Sequence, residues 1–272
     1  MPVIIRHSNI ESSAGGKCHV SKILRPDDIQ NYQVELDLIS IPKSMSHHID
    51  IDQEAVGWLQ ILSGSGVVRD QNLTQDHIAY LPLGFTGEFR AIEGNTQILI
   101  ARVPEAGKFD KNIASMPKEL ISVDWTREPV LRSEHDERKR VYMATPALAG
   151  TQAFKGEMIT YPPGAAAPEH HHVGAEHFQY VISGQGTAIL DGKGVRLDVG
   201  DLLYNYEHEP HSFINDTNDD FVFIEFFVPG PCDTIWSPGA NVCAWMPTGE
   251  DTEGREPSRE IGYHVHGQDD EI

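Results

Sequence analysis

With 272 residues and 39% hydrophobic content, the chain can form one large domain or two of ordinary size, each with a buried core. Its 41 acidic and 21 basic residues leave a formal charge of −20, which repels phosphate backbones and anionic lipid, so nucleic acid and membrane surfaces are set aside as partners. No apolar run approaches the ~20 residues that span a bilayer, and MPVIIRHSNI at the N-terminus has no signal-peptide core, so a soluble, cytoplasmic protein is expected. Cys18, Cys232 and Cys243 are too few and too scattered for a disulfide framework or a thiolate metal site and read as ordinary reduced thiols.

Along the chain, short β-rich runs are punctuated by Gly, Pro and Asn turns, with little helical periodicity. The first clear unit is WLQILSGSGVVRD (Trp58 to Asp70), an apolar strand, a Ser-Gly-x-Gly turn and a second strand; HIAYLPLGFTGEFRAI and QILIARVPEAG follow it. The same order returns later as FQYVISGQGTAILD, DLLYNYEHEPHSFIND and FVFIEFFVPGP, with Gly64 and Gly184 at matching places. Repetition of three segments in one order marks an internal duplication, and the strand pattern predicts two antiparallel barrels in tandem. The expected organisation is an N-terminal barrel over 1–107, a charged connection over 108–137, a C-terminal barrel over 138–231 and a tail over 232–272. SEHDERKR, at the end of the connection, reads as a solvated stretch. Trp236, Trp245 and Met246 could fasten the tail across the N-terminal barrel or a neighbouring subunit.

Gly164 to Gly184 carries four histidines and two glutamates just before and within a strand-like run. In an extended backbone His170 and His172 leave the same face, as chelation of one ion requires, and His171 faces away. His177 opens the run FQYVIS, and His211 lies on a second β-segment. Glu176 competes with His177 as the third ligand if the strand begins one residue earlier or carries a bulge. With His177 inward, alternation also turns Gln179 and Val181 inward, making Gln179 a candidate catalytic or substrate-contacting residue. In FVFIEFFVP, Phe221, Phe223, Glu225 and Phe227 share a face, and a carboxylate among aromatics is a candidate general acid or base. Tyr204, Tyr206 and Glu169 are weaker candidates. His208 sits in an acidic turn, and His264-x-His266 has ligand spacing but no visible second segment, so both are read as surface features.

These motifs resemble the cupins. The family's first motif is a glycine, five residues, H-x-H, three or four residues, an acid, six residues and a glycine; here Gly164, His170, His172, His177 and Gly184 keep those offsets, with His177 in the acid's place. In the second motif His211 and Asn215 stand at the expected distances from Gly200, while Tyr206 and His208 replace the usual proline and glycine. The resemblance is good over about Arg138 to Pro231 and weaker over about Tyr32 to Glu105, where Gly64 and Pro82-x-Gly84 survive. In the N-terminal half Gly57 and Gly87 fall at two ligand positions and Asp50 and Asp52 at the H-x-H positions, while the adjacent His47 and His48 point to opposite faces. That barrel is expected to bind no catalytic metal and to serve stability, assembly or coverage of the other site.

The resemblance implies an all-β bicupin, two tandem jelly-roll barrels, with one divalent transition metal ion per chain on His170, His172, His177 and His211. Imidazole donors suit iron, manganese, nickel, copper and zinc, and the family points first to Fe(II) or Mn(II). It also implies a homo-oligomer, a dimer first, and a small-molecule substrate. The leading expectation for activity is a metal-dependent dioxygenase acting on a small anionic, metal-chelating substrate, phenolic or enolic. A non-redox isomerase, lyase or aminohydrolase is the alternative, and a non-catalytic binding protein a third.

Overall fold

Alternation of apolar and polar side chains, with glycine where two strands meet too closely for a Cβ, explains most of the backbone. The computed structural model describes residues 1–10, 12–15, 18–31, 33–267 and 272, with the backbone alone for Ser12–Gly15. Tyr32, where the weaker N-terminal resemblance begins, lies outside them. The chain divides into two compact β units: one comprises Ser8–Trp125 and Ala147–Ala153, the other Met1–His7, Thr126–Pro146 and Phe154–Ile272. No helix among the described residues is long and apolar enough to cross a membrane.

In the N-terminal unit the long strands Val56–Val68 and Thr86–Val103 pair with each other and with Glu35–Ile41, Ser46–Asp50, Gln71–Thr74 and His77–Leu81. The Ser-Gly-x-Gly segment, expected as a turn, is a bulged corner inside one continuous strand, with register shifts between Ile61 and Gly66. Gly64 takes φ +79°, and Thr96 Oγ1 donates to the Ser65 carbonyl 3.0 Å away, which holds the bend. Asp50 and Asp52 are exposed, whereas Ile49 and Ile51 are buried and point into an aliphatic core with Leu59 and Ile61. The register expected for the two aspartates is therefore one residue off: the apolar neighbours win the inward face because burial favours them and penalises a carboxylate.

The C-terminal unit is a jelly roll of two sheets. One runs Val3–Ile5, Leu202–Asn205, Glu176–Ser183, Phe221–Val228, Lys155–Tyr161, Lys139–Ala144, Val130–Ser133, Ala244–Pro247, His264–Val265; the other Lys193–Asp198, Gln185–Leu190, His211–Ile214, His170–Val173, Asp233–Trp236. Their shared core includes Ile159, Tyr161, Val181 and Phe223 from the first and Ala188, Leu197 and Phe213 from the second. At the corner between Glu176–Ser183 and Gln185–Leu190, Gly184 has φ +68°, and a Cβ there would lie 2.0 Å from the Asp220 carbonyl oxygen, so glycine is required.

Three sequence expectations change here. The segment 108–137 is shared between the units: Ile121–Asp124 pairs with His77–Leu81, and Val130–Ser133 with Lys139–Ala144. The described part of the tail adds strands to both sheets of the C-terminal unit and buries Trp245 completely in that core. SEHDERKR is not solvated throughout, since Arg138 and Arg140 are both buried. They alternate onto the inner face of the strand they begin, where Arg140 meets Glu157 at 2.9 Å and its guanidinium lies 4.1 Å from the Trp245 ring centre.

Candidate metal centre

Strand register explains how four separated histidines meet. His170 pairs with His211 across the smaller sheet, and alternation buries His170 and His172 while His171 turns out toward His208. On the facing sheet His177 pairs with Asn205 on one side and Phe227 on the other, its ring stacked on Phe227 at 5.0 Å. His172, His177 and His211 bring one ring nitrogen each within 4.8 Å of one another, and His170 makes a second such group with His172 and His266. Glu176 takes no part in either group. Its carboxylate accepts from the Tyr204 hydroxyl.

Hydrogen bonds set the imidazole tautomers. His170 Nδ1 donates to the Pro168 carbonyl at 2.8 Å and His211 Nδ1 to the Glu209 carbonyl at 2.9 Å; because a carbonyl only accepts, Nε2 of each ring is a bare lone pair. His172 Nδ1 lies 3.1 Å from the Thr234 hydroxyl, which can accept in the same way, and His172 Nε2 is buried without any partner. His177 Nε2 and His211 Nε2 face each other at 3.3 Å, a separation that calls for a proton or a cation between them. Three of the four rings, His170, His172 and His211, have an oxygen at Nδ1, while His177 Nδ1 is buried without a partner; nitrogen lone pairs that converge in this way suit a transition-metal ion. Thr234→Val should therefore weaken metal binding about 10- to 100-fold with the fold intact, read by competition with a chromophoric chelator.

Burial holds all four rings neutral. His170, His172 and His177 titrate well below the usual histidine range, first through desolvation and then through neighbouring histidines, and His211 falls from 6.5 to about 4 mainly through desolvation. Between those two values the unfolded chain binds a proton that the folded chain refuses, so stability is complete above pH 6.5 and is lost as pH falls toward 4. For His211 alone the difference is worth roughly 3 kcal/mol. Metal-free protein should thus show a falling melting temperature from pH 6.5 to 4, and bound metal should be released over the same range, as followed by calorimetry and by metal analysis after dialysis. A flat profile would contradict burial of neutral imidazoles.

Behind His177 stands a polar column within the barrel. Glu225 Oε1 is 3.6 Å from His177 Nε2 and accepts from Gln179 Nε2, while Gln179 Oε1 accepts from Asn205 Nδ2 at 2.9 Å. With both ends of its amide engaged, Gln179 positions Glu225 and is not free to meet a substrate. Glu225 lies opposite Glu157 on the neighbouring strand, and burial followed by the Glu157 charge raises it well above the usual carboxylate range, which favours its protonated form. Its stability contribution has the opposite sign, complete below 4.5 and lost as pH rises through the raised value. A narrow cavity of about 20 Å³, room for about one water, is lined by Glu225, Arg140, His170, Trp236 and His266.

Arg140, Glu157, Asn205, Thr234 and His266 were not among the expected site residues. Alternation in KRVY and KGE could have exposed the first two, and the His264-x-His266 spacing was visible but had no partner segment in sequence. The structure supplies that partner. His266 is buried beside His170 and His172, and His264 Nε2 meets the Tyr142 hydroxyl at 2.9 Å, so the reading of this pair as surface is corrected.

Residues 157–227 match the cupin domain family model. That stretch is a cupin domain. The chain is 31% identical over 67 residues to an oxalate-binding protein from Thermotoga maritima, a match that covers 25% of this chain and 55% of that protein, so it spans only about half the length of the curated relative. A tryptophan-to-tyrosine variant of Bacillus subtilis oxalate decarboxylase superimposes with a TM-score of 0.70 at 13% identity, covering 86% of this chain and 79% of the other. A two-residue deletion variant of the same enzyme gives 0.69 at 14% identity over the same shares. At that identity the likeness is one of fold, and the fold is that of a bicupin.

Proposed function

We propose that the C-terminal barrel binds one divalent transition metal ion through His170, His172, His177 and His211 and acts as a lyase on a small carboxylate, with oxalate the first candidate. The observation that carries the metal reading is the buried, partnerless Nε2 of His172, beside His170 and His211, whose Nδ1 atoms are backed by backbone carbonyls. Histidine takes the place of the usual carboxylate ligand, so all four protein donors are neutral and the ion keeps its full charge for an anionic ligand. Fe(II) and Mn(II) lead by family, with nickel, copper and zinc compatible with the donors.

The expected dioxygenase gives way to the lyase alternative. The relatives reported above carry the names of a decarboxylase and an oxalate-binding protein. Decarboxylation of hydrogen oxalate breaks the carbon–carbon bond, releases carbon dioxide and requires a proton at the remaining carbon to give formate. Glu225, which lines the cavity and whose carboxyl burial raises well above the usual range, is the candidate donor, with Gln179 holding its carboxyl and Arg140 balancing Glu157. The bound metal supplies Lewis-acid attraction for the substrate carboxylate.

The test is metal analysis of protein purified without an affinity tag, followed by incubation with oxalate while formate, carbon dioxide and dissolved oxygen are followed. Formate and carbon dioxide in equal amounts without net oxygen loss is the expected result. Stoichiometric oxygen uptake with phenolic or enolic acids would restore the dioxygenase, and tight oxalate binding without turnover would identify a binding protein.

A further inference from the structure

His266 adds a fifth imidazole to the centre, from a segment outside both cupin motifs. It reaches the site through the strand His264–Val265, whose register sets His264 opposite Trp245, and through the His266 N–H, which donates to the Cys243 carbonyl at 3.1 Å. The next residue, Gly267, adopts φ +80° and packs so closely on Thr234 that a Cβ would lie 2.4 Å from its hydroxyl, so the tail turns back directly beneath the residue that orients His172. The ring of His266 stands perpendicular to those of His170 and His172, with centres 5.7 and 5.2 Å away.

By distance alone His266 could be a metal ligand. Its hydrogen bonds argue otherwise. Arg140 Nη1 lies 2.9 Å from His266 Nδ1, and a guanidinium can only donate, so Nδ1 is the accepting nitrogen and the proton of the neutral ring sits on Nε2. Arg140 is itself fixed by Glu157 and by donation to the Tyr142 hydroxyl, so it cannot turn away to release that nitrogen without breaking a buried ion pair. A ring whose Nδ1 lone pair is engaged and whose Nε2 is protonated has no lone pair left for a metal ion. It has one N–H to offer, and it lines the cavity shared with Glu225 and His170.

We propose that His266 is a specificity-determining residue that donates its Nε2–H to an anionic ligand held at the metal centre, and that it is not a metal ligand. The assignment rests on the metal-site reading given above. A fixed neutral donor favours ligands that present an oxygen or nitrogen acceptor in the cavity, such as carboxylates and azide, over those that present carbon or N–H there.

The experiment uses metal-loaded full-length protein as wild type, His266→Phe, which keeps a ring without a donor, and His266→Gln, whose amide oxygen can accept from Arg140 while its nitrogen donates to the cavity. Metal per chain is measured by mass spectrometry, and affinities for oxalate and for azide by calorimetry. The expected result is unchanged metal content in both variants, with both anions bound about tenfold to a hundredfold more weakly by His266→Phe and near-wild-type binding by His266→Gln. Loss of metal from the folded glutamine variant would make His266 a ligand and overturn the assignment, as would equal anion affinities in all three proteins. Should His266→Phe fail to fold, His266→Leu and the glutamine variant carry the same comparison. Wild type that binds azide but not oxalate rejects the substrate class while leaving the donor role measurable. Wild type that takes up no metal overturns both, and the metal analysis shows it before any titration.

Discussion

His172→Ala is expected to abolish metal binding while leaving the fold in place. His172 is the ring common to both histidine groups, is 1% exposed, and has its Nε2 aimed into the cluster without a partner. In the metal-free protein that ring is a buried polar group with an unmade interaction, a cost to the folded state, so its removal offsets part of the packing loss. The large effect falls on the holoprotein. A ligand present at a hundred times its dissociation constant stabilises the fold by about 2.7 kcal/mol, and the variant should lose that increment. Metal content should drop from one per chain to background, and added metal should raise the melting temperature of wild type but not of the variant. Retention of one ion by the variant would mean that the centre lies elsewhere.

Arg140→Met should cost the most stability of any single change in the site. Glu157 is fully buried against Arg140 at 2.9 Å, and Glu225 stands opposite it on the next strand. Removing the guanidinium leaves Glu157 to be buried as an uncompensated charge or neutralised beside a second carboxyl, and breaking such a pair costs about 3–5 kcal/mol. For a chain of this size that corresponds to a fall of roughly 10 °C in melting temperature. The loss also removes the donor that fixes His266 and the cation stacked on Trp245, so the tail should loosen and its backbone amides exchange faster. The double variant Arg140→Met, Glu157→Gln should recover much of the stability, because the residual cost in the single variant is electrostatic. A single variant that melts within about 2 °C of wild type would show that water reaches Glu157 and that the pair is screened.

These two residues mark the range of what sequence pattern reveals. His172 was readable as a candidate ligand because His170 is two positions away and a strand has a period of two, so local geometry sufficed to put both on one face. His177 and His211 were readable because each keeps a fixed offset from a glycine the turn geometry needs, Gly184 at φ +68° and Gly200 at φ +86°. Arg140 sits in a run of charges whose composition points to solvent. Its burial follows from Glu157, fifteen or more residues away across a strand pair, and from Trp245, more than a hundred residues later. No local rule connects them.

The N-terminal half teaches the same distinction from the other side. The duplication located its strands, yet the inward face of Ser46–Asp50 went to Ile49 because a shift of one residue reverses every side chain and the aliphatic core selects the apolar set. Periodicity and glycine placement were enough to predict the all-β tandem architecture, and histidine spacing to propose four imidazoles for the C-terminal barrel, since strands, turns and H-x-H pairs are governed by interactions a few residues long. The choice of His177 over Glu176 at the cluster, the Arg140, Glu157 and Glu225 column, and the return of His266 from the tail depended on which strands became neighbours. Those contacts arise from packing between distant segments, where burial and charge compensation act without regard to separation along the chain.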